Sequence, residues 1–199
     1  MRHFFIFFIS VIILSGCAGT PISVKPVTNF EPDRYLGTWY EVARLDHSFE
    51  RGLTDVTANY TKRSDGAITV LNRGYDTKKE KFDDAKGKAK FKINENTGHL
   101  KVSFFGPFYG DYIIFDLDKT NYNTAYVSGG KDNYLWLLSR NPEINNVRKE
   151  HFIQKAHALG YDTDALIWVD QSRAGTRAAP HHRTVSGRFQ LGFPDPPLR

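Results

Sequence analysis

The chain has 199 residues, a length that is enough for one domain with a full core. Its single cysteine excludes an intramolecular disulfide and a cysteine metal cluster. Its formal net charge of +5 lies in the two ends, because residues 17–171 carry no net charge. The basic balance therefore does not indicate a nucleic-acid-binding domain.

Residues 1–16 have the pattern of a signal peptide. Arg2 supplies a positive start and an apolar run over residues 4–14 follows, too short for a transmembrane helix of about 20 residues. The run ends in Leu-Ser-Gly-Cys, which resembles the lipobox of bacterial lipoproteins. The resemblance implies cleavage before Cys17 and acylation of that residue, with chains such as palmitate that together anchor a protein stably. An ordinary signal peptide with an incidental cysteine is the alternative.

The residues after the cysteine indicate a destination and a spacer. Ala18 stands where aspartate would favour retention at the inner membrane, so the resemblance to enterobacterial lipoproteins implies the outer membrane, on its periplasmic face. Residues 17–32 hold three prolines and little periodicity. We predict a lipidated tether there.

From residue 37 to residue 140 the chain alternates between apolar and polar residues, as half-buried strands do. The pattern is clearest at residues 85–93, where Ala85, Gly87 and Ala89 alternate with lysines. We predict eight strands, with ends good to a few residues. They lie at about residues 38–46, 53–63, 67–76, 81–93, 98–105, 110–118, 122–129 and 132–140.

Short turns between these segments predict antiparallel neighbours, and eight such strands can close into an up-and-down barrel. Small inward residues at 85, 87 and 89 favour an internal cavity. A barrel that crosses a membrane is disfavoured because the lysine row would face lipid. The prediction is an all-β domain over residues 33–171.

The rest of the chain predicts one helix and a tail. Asn141-Pro142 ends the last strand, apolar residues from 144 to 159 then follow a helical period, and Gly160 is suited to the C-cap. We expect this helix to pack outside the barrel, followed by a short strand at residues 165–169. Residues 172–199 contain five arginines, no lysine and four prolines, which predicts disorder. This tail is either a basic arm for anionic lipids or a segment without function.

Three features together resemble the lipocalin family. Residues 37–44 resemble its first signature, Gly-x-Trp, and residues 137–140 resemble the third, whose arginine follows the eighth strand. The second signature, near residues 116–126, is met only loosely. Residues 29–170 are similar to the branch that contains bacterial lipocalins and apolipoprotein D, and the Phe-Phe-Gly-Pro-Phe-Tyr-Gly run at 104–110 strengthens that similarity.

The meander gives the barrel two different ends. Strand one pairs with strand eight, which places Trp39 beside Arg140 at one end. The resemblance implies a structural cation–π contact that closes it. The odd-numbered turns, at about residues 46–52, 76–81, 105–110 and 129–132, lie at the opposite end, which we call the mouth. It carries four aromatic residues: Phe49, Phe105, Phe108 and Tyr109. They form a lid, a membrane contact or the surface of a homodimer.

Inward residues near the mouth are predicted to bind the ligand: Val56, Ala58, Ala89, Val102, Phe104, Tyr134 and Trp136. Trp136 matches a pocket tryptophan of the apolipoprotein D branch. The resemblance implies a fatty acid or lysophospholipid, bound, stored or transported for envelope lipid maintenance. The alternatives are a structural lipoprotein with a filled barrel and an enzyme on an apolar substrate. We predict no catalytic residue, metal or cofactor, because no catalytic motif is present and acylation consumes the cysteine.

Overall fold

The computed structural model describes residues 22–174; the predicted signal peptide, Cys17 and residues 175–199 lie outside them. The elements in chain order are α1 (Pro32–Tyr35), β1 (Gly37–Arg44), β2 (Leu53–Lys62), β3 (Ile68–Asp76), β4 (Lys81–Phe91), β5 (His99–Phe105), β6 (Phe108–Leu117), β7 (Thr124–Ser128), β8 (Leu135–Ser139), α2 (Asn146–Ala158), a 3-10 turn (Thr163–Ala165) and β9 (Ile167–Trp168). The eight predicted strands are confirmed, and their ends differ by a few residues.

The first eight strands form a closed antiparallel barrel. Each pairs with its neighbours in sequence, and β1 closes the ring by pairing with β2 at its start and β8 at its end. At the end of β1, Ala43 also pairs with Trp168 of β9. Closure leaves no unpaired edge among the eight strands, which removes the usual site of edge-to-edge association.

Along β4 the lysines lie outside the barrel and Ala89 points inside, but Ala85, which the sequence analysis places inside, is exposed. Ala89 is fully buried and pairs with Val102, whereas Lys90 beside it is exposed. The predicted empty space above Gly87 is filled, however. A Cβ added to Gly87 would lie 2.9 Å from the Phe104 ring, so this ring occupies the position that the missing side chain leaves. The cavity inside the barrel therefore does not lie above Gly87.

Helix α2 packs on the outer face of the barrel, as predicted. Phe152 and Ala156 are fully buried in a cluster with Tyr126 and Leu137, whose side chains leave the barrel wall on the outside. The Asn145 side chain accepts the backbone N–H of residue 148 and caps the first turn. Among the described residues, no helix has the length and apolar content needed to cross a membrane.

Residues 22–31, which we call the strap, lie against the barrel, although the sequence predicted a tether there. The strap begins at the mouth, where Ile22 donates its N–H to the Gly130 carbonyl at 3.0 Å. Further along, the Val27 N–H bonds to the Ile114 carbonyl at 2.8 Å, and Phe30 is buried at the other end of the barrel. Scattered apolar residues fix this segment without a regular period, which is why its sequence resembles a linker.

Residues 172–174, which the sequence analysis assigns to the tail, pack against the barrel. Asp55 sits in a bulge of β2 with a φ of 51°, and its N–H donates to the Asp170 carbonyl at 2.7 Å. The Arg173 N–H donates to Asp55 Oδ1 at 2.7 Å, and its guanidinium lies 4.1 Å from the centre of the Tyr75 ring. The last described residues therefore cover the β2 bulge.

Candidate functional site

The interior of the barrel contains a cavity of about 660 Å³ that opens at the mouth. Its wall is formed by residues of three mouth turns, at 46–52, 105–110 and 129–132, and by side chains from most strands of the barrel. The lining residues are Glu41, Phe49, Glu50, Ala58, Tyr60, Val70, Asn72, Val102, Phe104, Tyr109, Gly110, Asp111, Tyr112, Gly129, Gly130, Lys131, Tyr134, Trp136 and Leu138. Most of the wall is aliphatic or aromatic, which suits an apolar ligand with few polar contacts.

Five of the seven predicted ligand residues line this cavity: Ala58, Val102, Phe104, Tyr134 and Trp136. Val56 and Ala89 do not. The β2 bulge shifts the register between Thr54 and Thr57, and Val56 packs over Gly74, where an added Cβ would lie 3.3 Å from Val56 Cγ2. Ala89 belongs to the core cluster between the cavity and the closed end. The ligand contacts of all seven residues stay predictions.

Arg140 and Trp39 close the end opposite the mouth. The Arg140 guanidinium lies 3.9 Å from the centre of the Trp39 ring, and its N–H groups donate to the carbonyls of Thr38 at 2.7 Å and Leu36 at 2.8 Å. The Trp39 indole donates to the Tyr35 carbonyl at 2.8 Å. One arginine therefore joins α1 to the start of β1 and covers the barrel floor.

Two buried tyrosines, Tyr35 and Tyr60, and the half-buried Tyr112 lie between this floor and the cavity. The Tyr112 hydroxyl lies 2.7 Å from those of Tyr35 and Tyr60, so the three form a linked pair of hydrogen bonds. Burial, and then the neighbouring hydroxyls, raise the pKa of Tyr112 well above its ordinary value. These groups stay neutral at physiological pH and give the deep end of the cavity polar atoms without charge.

A second group of polar residues, which we call the acid cluster, consists of Glu41, Arg44, His47 and Glu50. Glu41 and Glu50 line the cavity, and Arg44 and His47 contact them. Arg44 Nη1 donates to Glu41 Oε1 at 2.7 Å, and Trp136 Nε1 donates to Glu50 Oε2 at 3.1 Å. His47 Nε2 lies 3.0 Å from the same Glu50 oxygen, an ion-pair distance without the alignment of a good hydrogen bond. All four side chains are buried.

The two carboxyls of the acid cluster have opposite protonation tendencies. Burial, with the Glu50 carboxylate beside it, raises the pKa of Glu41 well above its ordinary value of 4.5. Burial acts the same way on Glu50, but His47, the Trp136 indole and Arg44 outweigh it and lower the Glu50 pKa. The fold thus favours the protonated form of Glu41 and the ionised form of Glu50 relative to the unfolded chain. Among residues 22–174, no three His, Cys, Asp or Glu side chains are arranged to bind a metal.

This pair of shifts predicts opposite effects of two amide substitutions. The folded state binds a proton at Glu41 more tightly than the unfolded chain, so the ionised form of Glu41 costs stability as pH rises above about 4.5. Glu50, with its lowered pKa, contributes stability above 4.5 and loses it as pH falls. At pH 7 we expect Glu41→Gln to be neutral or stabilising, and Glu50→Gln to lower the free energy of unfolding by about 2–3 kcal/mol.

Urea unfolding of both variants between pH 5 and pH 8 checks the prediction. A Glu41→Gln protein that loses as much stability as Glu50→Gln at pH 7 would contradict the assignment. The advantage of Glu41→Gln over the parent chain should grow as pH rises.

The sequence analysis does not predict the acid cluster, and a sequence pattern indicates the burial of only one of its carboxyls. Glu41 shares the inward face of β1 with Trp39, two residues away, so the period of the strand marks it as a buried acid. Glu50 and His47 lie in a mouth turn, where no periodicity indicates whether a side chain points inward. Their burial follows from ring packing, because His47 stacks on Phe49 at 4.1 Å and lies 5.2 Å from Trp136.

The four predicted mouth aromatics divide into two kinds. Tyr109 lines the cavity, and Phe49 lines it while also leaving 56% of its surface exposed. Phe105 and Phe108 lie at the tip of the β5–β6 hairpin and are 80% and 79% exposed. The hairpin tip does not fold back over the cavity, which argues against the lid.

Comparison with known proteins agrees with this geometry. The model of the lipocalin-like domain family matches residues 30–171. The outer membrane lipoprotein Blc of Vibrio cholerae is 55% identical over 171 residues, covering 86% of this chain and 99% of that protein. The protein of the same name from Escherichia coli K12 is 47% identical over 151 residues, covering 76% and 85%.

More distant relatives share the architecture. Mouse apolipoprotein D is 28% identical over 166 residues, covering 80% of this chain and 84% of that protein. The crystal structure of insecticyanin from the tobacco hornworm Manduca sexta superimposes with a TM-score of 0.65 at 20% identity, covering 78% of this chain and 88% of the other. At that level of identity the likeness concerns the fold alone.

Proposed function

Because this chain belongs to the lipocalin family, we propose that its barrel holds the acyl chain of a fatty acid or lysophospholipid while acylated Cys17 fixes it to the outer membrane. The chain is an outer-membrane lipoprotein, as its relatives are named, and a binding protein rather than an enzyme. The identity of the ligand, the acylation of Cys17 and a role in envelope lipid maintenance by storing or transporting lipids are the proposed parts.

The observation that carries the proposal is the cavity of about 660 Å³ with its largely apolar wall. Ligand pockets have volumes of roughly 300–1,000 Å³, so this one suits a single-chain lipid. Burial of a C16 chain contributes roughly 12 kcal/mol, at about 0.8 kcal/mol per CH₂. Association costs about 4–15 kcal/mol in return, which allows micromolar binding without a specific head-group contact. An open cavity of this size argues against a barrel filled by its own side chains.

Charges on the cavity wall favour a bound lipid with its tail inside. An ionised head group beside the acid cluster would meet the Glu50 carboxylate, whose pKa is lowered. The deep end presents the neutral tyrosine hydroxyls, and Lys131 lies at the mouth. An acyl chain that enters tail first leaves its carboxylate or phosphate near the mouth, where water and Lys131 can solvate it.

Fluorescence of Trp136 provides the test. Titration of purified protein with palmitate or lysophosphatidylcholine is expected to change its emission at micromolar lipid, because the indole lines the cavity. Trp136→Phe should abolish most of the change while native mass spectrometry still detects the bound lipid. Trp168→Phe is the matched control, since Trp168 lies in β9 outside the barrel wall. If neither lipid changes the fluorescence or is retained in the mass spectrum, the proposed ligand class is wrong.

A further inference from the structure

The strap fixes the place where the chain leaves the described domain. Its first residue, Ile22, is hydrogen-bonded to Gly130, which lines the cavity at the mouth. From there the strap runs along the outside of the barrel to the opposite end, where Thr28 pairs with Thr97. The polypeptide between Cys17 and the barrel therefore reaches the domain at the mouth and not at the closed end.

The reach of that polypeptide is short compared with the barrel. Four residues lie between Cys17 and Ile22, and the five Cα–Cα steps that join them span at most about 18 Å when fully extended. Strands β2 and β6 have ten residues each. At about 3.3 Å per residue and a tilt of 35–45°, such strands extend roughly 25 Å along the barrel axis. The backbone of Cys17 therefore cannot reach the closed end while Ile22 stays at the mouth.

The mouth also presents the apolar surface that a bilayer would accept. Phe105 and Phe108 project at the hairpin tip with about four-fifths of their surface exposed, and Phe49 adds a third exposed ring. The hairpin tip is held by a hydrogen bond from the Ser103 hydroxyl to the Gly106 carbonyl at 2.9 Å. The four mouth turns carry no net charge. Apolar rings on a neutral rim match a zwitterionic lipid surface without requiring anionic lipid.

From the strap and the hairpin tip together, we propose that the mouth faces the membrane that holds Cys17 and that Phe105 and Phe108 insert into its surface. This inference rests on the proposed acylation of Cys17. A mouth in this orientation opens the cavity directly to the bilayer, so that a single-chain lipid passes between membrane and barrel without crossing water.

Depth-dependent quenching in vesicles tests the orientation. The mature acylated protein is reconstituted in phosphatidylcholine vesicles that contain a lipid with a quencher in its acyl chain. Because acylation consumes the one native cysteine, Pro107→Cys and Glu95→Cys each provide a single thiol for a fluorophore, at the mouth and at the closed end. Both residues are exposed. We expect severalfold stronger quenching at position 107 than at position 95.

Replacement of both rings separates insertion from simple proximity. In the protein labelled at position 107, Phe105→Ser with Phe108→Ser should weaken the quenching, whereas Ile93→Ser, at a 65% exposed residue near the closed end, should not. Equal quenching at 95 and 107 overturns the orientation, and quenching unaffected by loss of the rings overturns insertion. A label at 107 that is shielded by a second copy of the chain also overturns it.

Flotation of the vesicles distinguishes a missing anchor from a wrong orientation of the barrel. Protein that fails to float lacks the anchor, which contradicts the proposed acylation and this inference together. Protein that floats and binds lipid but shows the wrong quenching pattern contradicts only the orientation.

Discussion

Arg140→Ala is expected to lower the free energy of unfolding by about 3 kcal/mol, more than an ordinary surface substitution. The change removes the cation–π contact with Trp39, worth roughly 0.5–2 kcal/mol, and charged hydrogen bonds worth about 1.5–3 kcal/mol each before solvent compensates. It also releases α1, whose Arg34 and Leu36 carbonyls accept from Arg140 at 2.8 Å. The expected net loss is smaller than the sum of these contributions because two of the hydrogen bonds are exposed to water.

Urea unfolding of three variants checks this expectation. Arg140→Lys keeps the charge but loses the planar stack and the forked donors, so it should recover less than half of the loss. Arg63→Ala is the control, because Arg63 forms an exposed ion pair with Asp65 and should change stability by less than about 1 kcal/mol. An Arg140→Ala protein as stable as Arg63→Ala would show that the closed end does not depend on this side chain.

The second large effect concerns binding: Val102→Phe is expected to weaken acyl-chain affinity by roughly 30- to 150-fold, equivalent to about 2–3 kcal/mol. Val102 lines the cavity from β5 beside Ala89. A phenyl ring at this position occupies the volume of about three CH₂ groups of the ligand, and each CH₂ group contributes about 0.8 kcal/mol when it is buried. Since the ring enters open space, the protein should keep its stability within about 1 kcal/mol.

Lys101→Phe is the matched control for this substitution. It introduces the same side chain one residue earlier on β5, where the lysine is exposed outside the barrel. Calorimetric titration with palmitate should give the parent affinity for Lys101→Phe and the reduced affinity for Val102→Phe. Equal affinities for the two variants would place the acyl chain somewhere other than this cavity.

The acid cluster and the orientation have a common consequence for how a lipid enters. An ionised carboxyl inside the cavity opposes an anionic head group, and a mouth directed at the membrane lets the tail enter without exposure to water. Both features favour a lipid that enters tail first from the bilayer. Of the roles left open for the mouth aromatics, the membrane contact is the one that the position of the strap supports.

The sequence by itself determined the barrel and its polarity. Strand alternation is a local property, because successive side chains point to opposite faces, so lysines beside Ala89 marked the outer face without knowledge of any partner. Chain order then placed Trp39 next to Arg140, since a closed meander brings the first and last strands together. Five of the predicted cavity residues followed from the same rule.

Only the tertiary structure decided where that rule fails. The bulge at Asp55 changes the phase of β2, and Val56 leaves the cavity wall because its placement depends on contacts with β3 and with residues 170–173. Glu50 becomes a cavity residue through ring packing in a turn, and the strap is held by scattered backbone hydrogen bonds to β6 and to two turns. Contacts between residues distant in sequence leave no periodic trace in the chain, and these contacts fixed the charge of the cavity and the point where the anchor segment reaches the barrel.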